Sequence, residues 1–138
     1  MKKTFVLFAA ALALFMTTAA SAQTIHMNAD IPFSFILNGA TLPPGQYALT
    51  SMDVRGQVLS ISDLKAHHNN LITSNSCQSL RPATKTKLVF HRYGDRYFLS
   101  QIWVAGNDSG RELATSRREQ EVAKDFSMQE VVLVAAQR

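Results

Sequence analysis

The chain has 138 residues, 46% of them hydrophobic and 17% charged, with a formal net charge of +4. Two of its 14 basic residues, Lys2 and Lys3, lie at the extreme N-terminus, and without them 12 basic residues face 10 acidic ones. The charge is therefore no argument for nucleic-acid binding. The length fits one domain that buries a single modest core.

The N-terminus has the three parts of a secretory signal peptide. A short basic start precedes 12 apolar residues at 5–16, and small residues follow up to Ala22. A membrane-spanning helix needs ~20 apolar residues, so this segment is too short for an anchor. The sequence predicts cleavage of residues 1–22 after Ala22 and export of a single β-rich domain, residues 23–138, to the periplasm or the medium.

Cys77 is the only cysteine, so the fold cannot depend on an internal disulfide and must be held by its core. The sequence leaves three roles open for it: a small, partly buried residue, an intermolecular disulfide or a reactive thiol. Its neighbours Ser76, Gln78 and Ser79 would not activate a nucleophile, which favours the first role.

Strand and turn signals begin directly after the predicted cleavage point. Residues 23–30 are polar and predict a loose end, whereas residues 31–37 alternate apolar and other side chains, as a half-buried strand does. Asn38–Gly39 is a tight-turn signal. Pro44–Gly45 fits the centre of a type II turn, because proline fixes the first φ and glycine accepts the positive second one.

A hairpin and a less legible region follow. Residues 47–54 and 57–62 predict two strands joined by a turn at Arg55–Gly56. Residues 71–73 predict the centre of a strand of about seven residues. Residues 74–85 are polar, contain a proline and predict a connecting loop.

The segment 87–103 carries the strongest structural signal. Two runs rich in β-branched and aromatic residues flank Gly94–Asp95, which suits a type II′ turn because glycine tolerates a positive φ. A two-residue loop predicts three cross-strand pairs: Phe90 with Leu99, Arg92 with Tyr97, and Tyr93 with Arg96. A three-residue loop with a bulge would shift the register by one. In either register both faces carry large apolar side chains, which predicts a central hairpin covered on both sides.

The last segments predict a loop, a helix and a strand. Residues 105–110 have loop composition, and Ser116–Glu119 matches a capping box in which the glutamate carboxylate reaches back to the cap. A helix at about 116–126 is marginal alone, so we expect it to dock on the sheet through Val122 and Phe126. The tail at 131–136 has high β-propensity and predicts a last strand inserted into the sheet, because an exposed one would favour aggregation.

These signals predict a mainly β (α+β) fold. Several short strands at roughly regular spacing favour a single antiparallel β-sandwich or a small β-barrel, with the one late helix packed on it.

Several motifs follow one another along the chain in a characteristic order. They are Ile-Pro-Phe-Ser-Phe at 31–35, Leu-Pro-Pro-Gly-Gln-Tyr at 42–47, the hairpin core at 88–99, Ile102–Trp103 and Ser116–Glu119. In this order they resemble a family of small exported bacterial proteins, and the resemblance spans nearly all of the predicted mature chain. It implies export and a shared β-rich fold, and it supplies no catalytic or binding residue. Accessory modules of bacterial envelopes have this general size and turn pattern, which is an analogy only.

Motifs for the common chemistries do not occur. The sequence has no Gly-x-Ser-x-Gly, no His-Glu-x-x-His and no glycine-rich phosphate loop. His67 and His68 would point to opposite faces of a strand, so a solvated loop is favoured over a metal site. His91 lies opposite Phe98 in the two-residue register, and with Asp95 in the turn it forms no triad. We therefore predict no catalytic residue, no metal and no cofactor.

The tip of the central hairpin holds the candidate binding residues. These are Arg92, Tyr93, Arg96 and Tyr97. Two guanidinium groups between two phenol rings can hold an anionic or sugar-like ligand. The alternative is that the same pairs stabilise the hairpin by cross-strand packing.

Three functions stay open, and the first is favoured. It is a non-enzymatic exported module, of the envelope, periplasm or medium, that binds an envelope protein or cell-wall component. The second is a carrier that holds a small apolar ligand inside a barrel lined by the aromatic residues Phe33, Phe35, Phe90, Phe98 and Trp103. The third is a hydrolase that uses His91. No nucleic acid and no transmembrane anchor is expected after cleavage.

Overall fold

The computed structural model describes residues 24–137, and the predicted signal peptide lies outside them. Within this range, twelve strands and one short helix form two sheets that enclose a common core. The first sheet contains β1 (His26–Ile31), β4 (Gly45–Ser51), β5 (Val58–Asp63), β6 (Asn69–Thr73) and β12 (Ala136–Gln137). The second contains β2 (Phe35–Leu37), β3 (Ala40–Leu42), β7 (Asn75–Gln78), β8 (Lys87–Tyr93), β9 (Arg96–Trp103), β10 (Ser109–Glu112) and β11 (Met128–Val134). The helix is α1 (Arg117–Val122).

The strand order confirms the predicted mainly β fold as a β-sandwich. The first sheet runs β12-β1-β4-β5-β6 and the second β11-β8-β9-β10-β7, all with antiparallel neighbours. The short β2 runs parallel to β9, and β3 extends the sheet from β2. The two sheets do not close into the barrel that was the alternative. No helix within residues 24–137 is long and apolar enough to cross a membrane.

Alternating residues of both sheets fill the space between them. Aromatic rings from the two sheets meet there edge to face: Phe35 contacts Tyr47 at 5.2 Å and Phe90 at 5.7 Å between ring centroids. Tyr47 and Phe90 have no solvent exposure. This is the dense, interdigitated packing typical of a sandwich core.

The central hairpin has the predicted two-residue turn. Gly94 has φ +63°, whereas Asp95 has no positive φ. This combination fits a type II′ turn and excludes type I′, in which both central residues have a positive φ. The three predicted pairs are confirmed, but a bulge follows between Val89 and Phe90, so that Val89 faces Gln101. The bulge lets Leu99 and Ile102, three residues apart on β9, both join the core.

Three predictions for the first half are wrong. The supposed loose end is largely β1, and the single strand predicted over 31–37 is divided between the sheets. Pro32 explains the division, because it lacks the N–H that a ladder needs. The type II turn at Pro44–Gly45 does not form, since Gly45 has no positive φ and starts β4 opposite Ile31.

The predicted loops at 74–85 and 105–110 conceal a strand pair. Four residues of the first form β7, which pairs with β10, and β10 begins inside the second loop. Polar side chains weaken the strand signal of β7, whose residues are mostly exposed.

The chain end differs from prediction in two ways. Helix α1 ends at Val122, earlier than predicted. Val122 is buried against the sheet. Phe126 lies beyond the helix and is half exposed beside Gly94. The tail strand exists as β11, but it pairs only with β8 and forms the sheet edge instead of lying between two strands.

Candidate functional site

The four predicted residues at the hairpin tip lie on both faces of the sheet. Arg92 places its guanidinium 5.5 Å from the centre of the Tyr97 ring, which stacks on Phe33 at 3.9 Å between centroids. Tyr93 and its cross-strand partner Arg96 lie on the opposite face, where Tyr93 is buried and Arg96 is exposed. The structure therefore brings Arg92 and Tyr97 together, as cross-strand packing requires, and places Tyr93 elsewhere. The shared ligand site remains a prediction.

Tyr93 belongs to a second group of polar side chains, the Glu119 cluster, formed by Glu119, His91 and Tyr93. Glu119 Oε1 lies 2.9 Å from His91 Nδ1 and accepts a hydrogen bond from the Tyr93 hydroxyl at 3.0 Å. A carboxylate oxygen only accepts, so Nδ1 carries the proton. The side chain of Glu119 is only 6% exposed and that of His91 24%. This is a buried, charge-assisted network on the outer face of the second sheet.

Local structure explains how these three residues meet. His91 and Tyr93 are two residues apart on β8 and therefore share a face. Ser116 caps α1 by accepting a hydrogen bond from the Glu119 amide at 3.2 Å, which confirms the first half of the predicted capping box. The carboxylate, however, bonds to β8 instead of reaching back to the cap. Glu119 thus ties the helix to the sheet.

The cluster changes the titration of its tyrosine. Burial, together with the hydrogen bond to Glu119 and the negative charge of that residue, raises the pKa of Tyr93 from 10.0 to about 12. Tyr93 therefore remains a neutral donor at any physiological pH. Glu130 of β11 faces His91 directly across the ladder, which adds a second acidic residue on this face.

Alkali should destabilise the fold through this tyrosine. A pKa that is higher in the folded state gives stability that is fully present below the unfolded value and declines as the pH rises toward the folded one. Between about pH 10 and about pH 12 we expect Tyr93 to account for a loss of about 2 kcal/mol in the free energy of unfolding. Urea unfolding of the wild type and of Tyr93→Phe across this interval measures the difference.

The remaining alkaline loss has another source. Burial, and then the charge of Asp63, also raises the pKa of Tyr47, so Tyr47 contributes in the same direction and Tyr47→Phe is the companion variant. A Tyr93→Phe protein that loses as much stability in alkali as the wild type would contradict the assignment to Tyr93.

Glu119 also lines a pocket. Both hydrogen bonds of its carboxylate are made by Oε1, and no buried side-chain nitrogen or oxygen within residues 24–137 lacks a hydrogen-bond partner. Glu119 lines a depression of about 260 Å³ between β6, β9, the β2–β3 turn and the segment leading into α1. The other lining residues are Ile36, Asn38, Leu71, Ile72, Thr73, Phe98, Leu99, Leu113, Ala114, Thr115 and Ser116.

Known catalytic and metal arrangements are incomplete here. A nucleophilic triad needs a hydroxyl on the imidazole nitrogen opposite the carboxylate, but the Tyr93 hydroxyl bonds to the carboxylate instead. In the described part of the chain, no three His, Cys, Asp or Glu side chains are grouped to hold a metal ion. Cys77 is half buried, and burial raises the pKa of its thiol.

The edge strand β11 is the other exposed feature. Its outer face presents Met128, Glu130, Val132 and Val134, all exposed, while Val131 and Leu133 pack against the core. One edge of the strand pairs with β8 over seven residues, and no strand of the described chain pairs with the other edge. Such an edge offers backbone hydrogen-bonding groups to a further strand.

Sequence reasoning missed Glu119 because the capping-box pattern already gave it a role. His91 and Tyr93 are two residues apart and share one face of β8, and this pair of polar side chains was the available signal for a polar partner.

Comparisons of this chain with protein-family models, with curated proteins and with solved structures each found no match.

Proposed function

We propose that this protein is a non-enzymatic exported module that binds an extended segment of an envelope protein by strand addition at β11. The exposed edge of β11 is the single observation that carries the proposal. Strand addition uses backbone hydrogen bonds for affinity and alternate side chains for specificity. Export is supported by the signal-peptide pattern and by the resemblance to small exported bacterial proteins.

The composition of β11 suits a binding edge. Natural sheets protect long edges with lysine, proline, bulges or very short strands. β11 has seven residues, neither lysine nor proline, and an unshifted register with β8. Three of its four outward side chains are apolar, so a partner strand would cover a surface that is otherwise unfavourably exposed.

Glu130 indicates which kind of partner fits. It is the only charge on the outward face of β11, and an opposite charge directly across a strand pair is favourable. Suppose that β11 of a second copy were added at this edge, with its outward face on the same side of the sheet. Only Met128, Val132, Val134 or another Glu130 would then lie opposite Glu130. We therefore infer a partner segment from a different protein, with alternating apolar residues and a lysine or arginine facing Glu130.

The carrier alternative has no observation in its favour. It needs an open barrel interior for an apolar ligand, whereas the sandwich core is occupied by its own side chains, with Phe35, Tyr47 and Phe90 at most 1% exposed. The hydrolase alternative lacks the third member of a triad beside His91. Strand addition is the function that the exposed surface favours.

A photo-crosslinking residue at position 132 tests the proposal in cells that export the protein. Val132 is 49% exposed on β11, and Val54, 77% exposed in a turn, provides the matched control. We expect position 132 to give a discrete crosslinked product, with the bond mapped by mass spectrometry to an extended segment of another exported protein. Position 54 should not give this product.

The charge argument has its own test. Glu130→Lys should lower the yield of the product at least several-fold by placing like charges opposite each other. The protein recovered from the exported fraction should have the intact mass of residues 23–138. Crosslinking only to a second copy, or the same products from positions 132 and 54, would overturn strand addition to a partner; an uncleaved, unexported chain would overturn export.

A further inference from the structure

Arg111 places a positive charge on the inner face of the second sheet. Its cross-strand partner on β9 is Ile102, which is fully buried and belongs to the core. Residues directly opposite each other share a face, so the half-buried Arg111 side chain lies on the face that packs against the first sheet. A charge in this position is costly unless its donors find acceptors.

Ser74 and Gly56 hold the guanidinium group in place. Arg111 Nε donates to the Ser74 hydroxyl at 2.9 Å, and Nη2 donates to the Ser74 carbonyl oxygen at 2.7 Å. The Ser74 hydroxyl in turn donates to the carbonyl oxygen of Gly56 at 2.9 Å, in the turn between β4 and β5. These acceptors are uncharged, and no Asp or Glu within residues 24–137 forms an ion pair with Arg111. The guanidinium is therefore oriented by the fold while its charge is not neutralised by it.

A second arginine and two hydroxyls line the pocket beside Arg111. The pocket has a volume of about 330 Å³, and Arg55 and Gly56 line it from the turn between β4 and β5. Ser76 lies opposite Arg111 on β7, and Ser109 is two residues from it on β10, so both share its face of the sheet. No Asp or Glu of the described chain is among the lining residues. Two guanidinium groups and two hydroxyls, without a carboxylate, suit an anionic ligand.

The charge of the pocket favours one class of anion. A phosphate monoester carries about −1.5 to −2 charges at pH 7 and offers three acceptor oxygens. The planar fork of a guanidinium group matches the geometry of phosphate oxygens. Two arginines therefore match a doubly charged phosphate better than a carboxylate, which carries a single charge and two oxygens.

We propose that the pocket beside Arg111 binds a phosphate group. Inorganic phosphate and a phosphate monoester carried on a larger molecule both present this chemistry. Strands β10 and β7 lie at the opposite end of the sheet order from β11, so the site is separate from the edge proposed for strand addition. The inference does not rest on that function, and either activity can be lost without the other.

Amide NMR titration of the exported domain, residues 23–138, tests the proposal at neutral pH and constant ionic strength. The phosphate probes are inorganic phosphate, for the free ion, and n-butyl phosphate, for a monoester; pentanoate and 1-butanol are the singly charged and uncharged controls. We expect at least one phosphate probe to shift the amides of residues 55–56 and 109–111 and to bind roughly tenfold or more tightly than pentanoate. The tighter phosphate probe identifies the source. Pentanoate binding as tightly as phosphate, or no shift at these amides, would overturn the proposal.

Matched variants locate the charge. Arg55→Gln removes one charge from the pocket and should lower phosphate affinity several-fold, whereas Arg117→Gln, which removes an exposed arginine from α1, should leave it unchanged. Because Arg111 also holds Ser74, the decisive pair of variants is at the exposed Ser76 instead. Ser76→Asp should abolish binding by placing a carboxylate in the pocket, and Ser76→Asn, of the same shape without the charge, should retain it. Unchanged binding in Ser76→Asp, or equal losses in Arg55→Gln and Arg117→Gln, would overturn the assignment.

Discussion

Replacing Glu119 with alanine is expected to cost about 2–4 kcal/mol in the free energy of unfolding. The change removes the acceptor of the Tyr93 hydroxyl, which belongs to a residue only 6% exposed and has no other partner in the described chain. His91 loses its partner too, but it is exposed enough to bond to water. The orphaned Tyr93 hydroxyl therefore dominates the loss, which urea unfolding at neutral pH measures.

Two companion variants separate the network from the helix. Glu121→Ala removes an exposed carboxylate from the same helix and should change stability by less than about 0.5 kcal/mol. Adding Tyr93→Phe to Glu119→Ala should recover part of the loss, because the unpaired hydroxyl is then absent. A Glu119→Ala protein as stable as Glu121→Ala would show that the cluster does not hold α1 on the sheet.

The central hairpin was predictable because its information is local. Gly94 permits the positive φ of a type II′ turn, and a two-residue loop fixes the pairs closest to it. The bulge beyond Phe90 was not predictable, because it depends on which side chains of β9 the opposite sheet buries. Only in the assembled sandwich must Leu99 and Ile102 both face inward.

The wrong boundaries share a physical cause. Ile31 and Phe35 alternate correctly and are both buried, but the sequence does not show that Pro32 sends them to different sheets. In β7, polar residues pair with β10 more than thirty residues later, where backbone hydrogen bonds override weak propensity. Alternation reveals which side of a segment is buried, whereas strand partners depend on tertiary contacts.

The candidate site was predictable only in part. The hairpin prediction put His91 and Tyr93 on one face, and the cap prediction put Glu119 in the first turn of the helix. Glu119 contacts His91 and Tyr93, which lie 28 and 26 positions earlier in the chain, and no local pattern encodes such contacts. The tail was recognised as a strand, but its position at the edge follows from sheet order alone.

Gly110→Ala should destabilise the protein by about 1–3 kcal/mol despite being a single methyl group. A Cβ at this position would lie 2.7 Å from Cε3 of Trp103 and 2.9 Å from the carbonyl oxygen of Ile102. The backbone oxygen cannot move aside without disturbing the β9–β10 ladder, and the indole is itself buried. The entropic gain of about 0.4–1 kcal/mol from Gly→Ala is too small to offset such a clash.

Trp103 is the only tryptophan, so its fluorescence reports on this contact directly. Gly45→Ala is the matched control, since that Cβ would meet only Tyr47 at 3.9 Å and Gly45 has no positive φ. Gly45→Ala should be neutral or slightly stabilising and leave the emission unchanged, whereas Gly110→Ala should shift it. In a Trp103→Leu background the cost of Gly110→Ala should shrink, because the indole part of the clash is gone and the Ile102 carbonyl part remains. An undiminished cost would place the whole clash on the backbone and contradict the role of the indole.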